Sequence, residues 1–202
     1  QISKAMSSIK LTADSGGGTF EIKAPSSSGN TRVLTLPDTG NLTLHGGRIL
    51  QVQSTTRTDV FSEDLAVGTF SADALTVSIT PSNASNKILI LVNLTMGCEA
   101  SQETKFQIFK DGSIINGATG DAAGSRTRVT SMGSVGSAAE VQSVSGQFLD
   151  TAGGTSAITY SVRLGTGSSA TRFIYLNQSH SNFDNNYESR AISTITVMEV
   201  AA

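Results

Sequence analysis

Apolar and polar residues alternate over short segments in the second part of the chain, and this period of two predicts β-strands. Gly, Pro, Asn, Asp and Ser separate the segments. The predicted strands cover residues 48–56, 74–81, 87–98, 105–115, 141–150, 157–164, 171–178 and 190–200. No segment carries a helical apolar stripe over three turns. Roughly eight strands at this spacing predict an antiparallel, jelly-roll-like β-sandwich.

The strongest strand pattern is "KILILVNLTMGC", residues 87–98. One predicted face carries Ile88, Ile90, Val92, Leu94 and Met96. Leu89 and Leu91 point to the opposite face, so we expect the first half of this strand to be buried on both faces, as in a central strand. Cys98 ends the segment and is expected to be a small buried side chain.

Two turn signals connect the strands. Asp111-Gly112 lies between strand-forming residues, and this dipeptide favours a type I′ hairpin turn. Residues 165–170, "GTGSSA", match the glycine pattern of a dinucleotide-binding loop, but a strand follows where that loop needs a helix. We therefore expect a hairpin turn at 165–170.

The first 46 residues differ from the rest because they are rich in Gly and Ser and carry only short strand-like pieces, "GTFEIKAP", "TRVLTLP" and "NLTLH". An isolated hairpin of this kind is marginal in water. Identical chains are the simplest source of additional strands. We predict a β-rich shaft at 1–46 and a head domain at 47–202, with trimer contacts at Val33, Leu34, Leu36, Leu42 and Leu44.

Composition narrows the range of partners. The net charge is −2 and the isoelectric point about 5.6, whereas nucleic-acid binding needs a basic face. No apolar run reaches the length of a membrane-spanning helix. We expect no nucleic-acid partner and no membrane insertion.

Residues with catalytic or metal-binding patterns are scarce. The two histidines, His45 and His180, have no metal-ligand spacing. The carboxylates are scattered without an evident catalytic pair, and no G-x-S-x-G sequence is present. We expect no enzyme, no cofactor and no metal. If three chains met at His45, these side chains could hold a metal or an anion on the axis; an exposed turn histidine is the alternative.

The segment "LNQSHSNFDNNYESR", residues 176–190, is chemically richer than the rest. Amides and carboxylates pair with sugar hydroxyls, and an aromatic ring offers a platform for a pyranose. Long ordered loops often carry function. The predicted glycan-binding residues are Asn177, Gln178, His180, Asn182, Phe183, Asp184, Asn185, Asn186 and Tyr187. The alternative is an ordinary polar loop with Phe183 tucked under the core.

A second polar segment, residues 116–128, is rich in glycine and contains Arg126 and Arg128. We expect a solvated, mobile loop there. Contact of the two arginines with anionic surface sugars is the alternative.

The segment "GGGTFEIKAPSSSGNTRVLTLPDTGNLTL" resembles shaft segments in tail fibres and related virion proteins of tailed bacteriophages, particularly marine ones. The segments "RILQVQSTTRTDVFS", "LTVSITPSNASNKILILVNLTMG", "FQIFKDGSII" and "AISTITVMEV" are similar to C-terminal domains attached to such fibres. The resemblance covers residues 16 to 200 and describes architecture more than chemistry.

This resemblance implies an intertwined homotrimer whose shaft residues meet their symmetry mates. It implies a non-enzymatic virion protein, the distal part of a tail fibre, which binds a host-surface glycan or outer-membrane receptor and other phage tail or virion proteins. The alternatives are a capsid decoration or head-fibre protein and, less favoured, a glycan-degrading tailspike. The resemblance assigns no binding residue.

Overall fold

A computed structural model describes residues 8–12, 19–23, 47–99 and 101–202. The chain divides into two compact units, Gln1–Leu44 and His45–Ala202. In the first unit, strands β1 (Ser8–Thr12) and β2 (Thr19–Lys23) pair antiparallel. The sequence pattern predicts β2 but not β1.

The predicted trimer contacts of the shaft fall outside the described residues. These are Val33, Leu34, Leu36, Leu42 and Leu44, and His45 falls outside them too. They remain predictions.

The second unit is built from β-strands of very different length. In chain order they are β3 (Ile49–Arg57), β4 (Phe61–Leu65), β5 (Phe70–Ile79), β6 (Lys87–Cys98), β7 (Glu103–Lys110), β8 (Ser113–Ile114), β9 (Ser131–Ser134), β10 (Gln142–Thr151), β11 (Ile158–Thr166), β12 (Arg172–Leu176) and β13 (Ser193–Val200). One turn of 3₁₀-helix covers Asn116–Ala118. Among the described residues, no helix has the length and apolar character needed to cross a membrane.

The strands form two antiparallel sheets that pack as a sandwich, which confirms the predicted all-β sandwich. The first sheet has the order β3-β13-β6-β12-β4, and β10 also pairs with β6. The second sheet has the order β5-β11-β7-β8, and β9 also pairs with β7. β13 lies between β3 and β6, so the C-terminal strand is inside the sheet.

β6 supplies the centre of the core. Its inward side chains are at most 3% exposed: Ile88, Ile90, Val92, Leu94 and Met96. Across the sandwich they meet apolar side chains of the second sheet, among them Tyr160, Val162 and Leu164 of β11. Cys98 is fully buried, as expected.

The prediction that β6 is buried on both faces is wrong in part. Leu89 and Leu91 are only half-buried, because no strand of the described part of the second unit covers the outer face of the first sheet. The apolar pattern of a strand shows that both faces avoid water, but it does not show whether the second face is covered by the same chain.

The two turn predictions have different outcomes. Asp111 and Gly112 have φ values of 49° and 78°, which confirms the predicted type I′ turn between β7 and β8. The hairpin turn predicted at 165–170 is wrong, since the segment leads from β11 in the second sheet to β12 in the first. The pattern locates the following strand but does not identify the sheet that it joins.

Two strands of the second unit, β4 and β9, were not predicted. β4 reads "FSEDL" and β9 reads "SMGS", so neither has the alternating apolar residues that mark a strand. Their pairing with β12 and β7 makes them strands.

A buried carboxylate joins the last strand to the β5–β6 connection. Glu199 of β13 is 1% exposed. Its carboxylate accepts hydrogen bonds from Gln51 Nε2 at 2.6 Å, from Ser82 N and Oγ at 2.7 Å each, and from Asn86 Nδ2 at 2.6 Å. Burial by itself raises the pKa of Glu199, but the hydrogen bonds from Asn86, Gln51 and Ser82 outweigh it and lower the pKa to about 2.

We expect Glu199→Gln to lower the free energy of unfolding by about 2 kcal/mol at neutral pH, because the amide replaces one accepting oxygen with an NH2 donor in a site whose other groups all donate. The folded pKa lies below the ordinary value of 4.5, so the carboxylate stabilises the fold above pH 4.5. That stabilisation is lost as the pH falls towards 2. Urea unfolding followed by circular dichroism between pH 7 and pH 2 measures both effects.

Asp64→Asn is the matched control, since it neutralises an exposed carboxylate of β4 that makes no hydrogen bond with a described residue. The control should keep the acid dependence of the wild-type chain. An unchanged acid dependence in Glu199→Gln would show that the buried carboxylate does not link stability to pH.

Candidate ligand-binding loop

The candidate loop comprises residues 177–192, between β12 and β13, and Asn177 fixes its first turn. Asn177 is fully buried with a φ of 67°. Its Nδ2 donates to the carbonyl oxygens of Arg57 and Asp59, both at 2.9 Å. Its Oδ1 accepts from Ser193 Oγ at 2.6 Å. The prediction that Asn177 contacts a ligand is therefore wrong, because its side chain is fully buried and both its Nδ2 and its Oδ1 are hydrogen-bonded within the protein.

The loop then passes very close to β6, over Gly97. A Cβ placed on Gly97 would lie 2.4 Å from the carbonyl oxygen of Gln178 and 3.2 Å from Cα of Ser179. Any side chain at residue 97 would push the loop away from the sheet. The absence of a side chain at Gly97 therefore allows the loop to lie directly on β6.

The middle of the loop is organised around the carboxylate of Glu188. Ser179 Oγ donates to Glu188 Oε2, and Ser181 Oγ donates to Oε1 at 2.7 Å. The backbone N–H of Phe183 donates to Oε2 at 3.1 Å. These hydrogen bonds, led by that from Ser179, lower the pKa of Glu188 and keep the carboxylate ionised under mildly acidic conditions.

The side-chain carbonyl group of Asn185 orders the tip of the candidate loop. Asn185 Oδ1 accepts from the backbone N–H groups of Tyr187 at 2.9 Å and Glu188 at 3.2 Å. This is the local side-chain-to-backbone bonding by which asparagine stabilises turns. The loop therefore has its own hydrogen-bond framework despite its polar sequence.

The aromatic side chains of the loop face solvent. Phe183 is 64% exposed and Tyr187 is 88% exposed. The alternative in which Phe183 is tucked under the core does not occur. A pocket of about 300 Å³ lies beside Phe183, and its polar lining includes Asn182, Asp184 and Arg190.

The other predicted residues differ in their exposure and in whether they line this pocket. Asn182, Asp184, Asn185 and Asn186 are exposed, and the first three line the pocket together with Gln178 and Phe183. Gln178 is half-buried and accepts a hydrogen bond from Arg190. Tyr187 and Asn186 lie outside the pocket lining.

His180 is held by strand β12 rather than aimed into the pocket. Its Nδ1 lies 2.8 Å from the hydroxyl oxygen of Tyr175, and the two ring centroids are 5.4 Å apart. No cluster of three metal-ligating side chains occurs in the described part of the chain. The position of His180 therefore suits packing against Tyr175.

Ser179 and Ser181 were missed by the sequence prediction. Their signal is the spacing Ser-x-Ser followed by Glu188, which in a chain this rich in serine does not stand out. Only the folded loop shows that both hydroxyls bind one carboxylate.

This arrangement offers groups that can bind a hydroxylated ligand. Exposed amide and carboxylate groups beside a flat ring can hydrogen-bond hydroxyls while the ring covers an apolar face. An ordered loop loses less entropy on binding than a disordered one.

We expect Glu188→Gln to loosen the candidate loop while leaving the sandwich intact. Both carboxylate oxygens of Glu188 accept hydrogen bonds, whereas the amide of glutamine has a single accepting oxygen. Hydrogen exchange should accelerate at the backbone amides of residues 182–188 and remain unchanged in β6. In the wild-type chain the same loss of protection, measured relative to the intrinsic exchange rate at each pH, should appear when the pH falls through the lowered pKa of Glu188.

Asp184→Asn is the control within the same loop, since Asp184 is exposed and its carboxylate makes no hydrogen bond with a described residue. It should exchange like the wild type. Equal exchange in both variants would show that Glu188 does not organise the loop.

Comparisons with known proteins give little further guidance. No protein-family model and no curated protein matches the chain. The solved structures that are similar to it include "Structure of infectious bursal disease virus Gx strain" and "Crystal structure of infectious bursal disease virus VP2 subviral particle". The TM-scores are 0.38 and 0.35, and the identities 12% and 13%.

The alignments cover 96% and 91% of this chain but 46% and 47% of the viral chains. This chain thus spans about half the length of the viral proteins that it matches. A likeness at these TM-scores does not assign it a function.

Proposed function

We propose that the chain is a non-enzymatic virion structural protein, the distal part of a phage tail fibre that attaches the particle to a glycan on the host surface. The observation that carries this proposal is the display of Phe183 and Tyr187 on a loop whose own hydrogen bonds hold it in shape. The resemblance of residues 16–44 to fibre shafts supports a place in a fibre.

The outer face of the first sheet offers a contact surface for the proposed homotrimer. The strand register places Val52, Met198, Leu89 and Leu149 in one row across β3, β13, β6 and β10. Val52 is 50% exposed and Leu149 is 53% exposed. A continuous apolar row on a sheet face is a surface that another protein commonly covers. We propose that a second copy of the head covers it.

A capsid decoration or head-fibre protein remains the second candidate. The same apolar row would then dock on another virion protein, and the candidate loop would have no ligand. The mass of the assembly in solution separates the two.

We expect the purified chain to have three times its mass of 20.9 kDa in multi-angle light scattering. Leu149→Asp should reduce that mass, because a charge without a partner would be buried in each of the equivalent contacts. A wild-type monomer would contradict the trimer.

Ser145→Asp is the matched control for this variant. Ser145 lies on the same strand and the same outer face, outside the apolar row. It should leave the mass unchanged, whereas an equal loss in both variants would mean that the row itself is not the contact.

We expect the double variant Phe183→Ala/Tyr187→Ala to lose binding to bacterial cells without a change in melting temperature, since both rings are exposed. The measurement is adsorption of the labelled chain to a panel of marine bacteria. Leu50→Ala removes another exposed apolar side chain, on β3, and should adsorb normally. Wild-type adsorption by the double variant would remove the candidate loop from host recognition.

A further inference from the structure

A second, larger cavity lies on the outer face of the second sheet. Its volume is about 620 Å³, within the range of small-molecule sites. Lys105 of β7 lines it, together with the β4–β5 turn at 67–68 and residues 166–168 at the end of β11 and just after it. The glycine-rich loop and the residue that follows it contribute Ser125, Arg126, Thr127 and Val129. Lys105 projects opposite to the core residue Phe106, so the cavity is separate from the sandwich interior.

Lys105 is unusual for a lysine because it is only 8% exposed. It pairs with Gly165 across β7 and β11. A Cβ placed on Gly165 would lie 3.3 Å from Cε of Lys105 and 2.9 Å from the ring of Phe70. The missing side chain at Gly165 therefore provides the space in which the lysine stem lies.

The ammonium group of Lys105 makes no hydrogen bond and no ion pair with any described residue. Other lysines of the head differ: Lys87 Nζ lies 2.8 Å from Thr151 Oγ1, and Lys110 Nζ lies 2.8 Å from Asp150 Oδ2. Burial lowers the pKa of Lys105, and the charge of Glu103 opposes this effect. The stem of Lys105 is buried, but its Nζ is not among the fully buried polar atoms that lack a partner, so the ammonium group reaches the open cavity. An anionic ligand in the cavity can therefore pair with it.

The glycine-rich loop adds a second cation. Arg126 lines the same cavity, and its guanidinium is joined to the described residues by one long hydrogen bond, to the Ala123 carbonyl oxygen at 3.4 Å. Arg128 instead donates from Nε to the Gly120 carbonyl oxygen at 2.6 Å, which fixes the loop. Most donors of Arg126 therefore remain available to a ligand.

We propose that this cavity binds a small acidic sugar, with its carboxylate or phosphate group between Lys105 and Arg126. Glu103 is the third charged group in the lining, so one positive charge is left for the ligand, and its carboxylate can accept from a sugar hydroxyl. Val67 and Met132 give the lining an apolar side suited to the C–H face of a sugar ring. The lining contains no residue of the candidate loop and none of the apolar row across β3, β13, β6 and β10.

The test is calorimetric titration of the purified chain with glucuronate, glucose 6-phosphate, glucose and inorganic phosphate. We expect at least one acidic sugar to bind and glucose not to bind. Binding of glucuronate alone identifies a carboxylate ligand, and binding of glucose 6-phosphate alone identifies a phosphate ligand. Inorganic phosphate that binds as tightly as the sugars, or an absence of binding by both acidic sugars, would overturn the proposal.

Lys105→Met keeps the buried stem and removes the charge, so it should weaken binding about tenfold or more. Its melting temperature should stay equal or rise, because a buried charge is lost. Lys87→Met changes the net charge equally, away from the cavity, and should bind like the wild type. Equal affinities in both variants, or a Lys105→Met chain that binds normally but melts earlier, would show that Lys105 has a structural role alone.

Discussion

The head depends on burial of one face of β6. This strand pairs with β10 along one edge and with β13 and β12 along the other, and its inward side chains are almost completely removed from water. The first sheet is assembled on its edges, and the second sheet covers its face. Apolar burial of this extent is the main favourable term in the stability of a domain of this size.

Two glycines inside strands determine what lies on the sheet surfaces. Gly97 of β6 permits the candidate loop to approach the first sheet, and Gly165 of β11 makes room for the stem of Lys105 on the second. Glycine weakens a strand interior, so its presence at a close approach has a positional reason. Both proposed ligand sites thus rest on a missing side chain in the framework beneath them.

Polar side chains fulfil two different functions in this chain. Glu199, Asn177 and Glu188 satisfy backbone and side-chain donors and thereby fix a strand connection and a loop. The hydroxyl group of Tyr187 and the ammonium group of Lys105 instead make no hydrogen bond with a described residue. This contrast separates the framework from the surfaces that we propose for ligands.

The sequence by itself determined the strand positions in the core and the type I′ turn, because alternation and turn chemistry are local properties. It also located the candidate loop, since polar residues between two strands are visible in one dimension. Tertiary structure alone decided that Asn177 belongs to the framework, that residues 165–170 join different sheets, and that Lys105 lies in a cavity. Those outcomes depend on which segments pack over one another, and residues far apart in the chain set that packing.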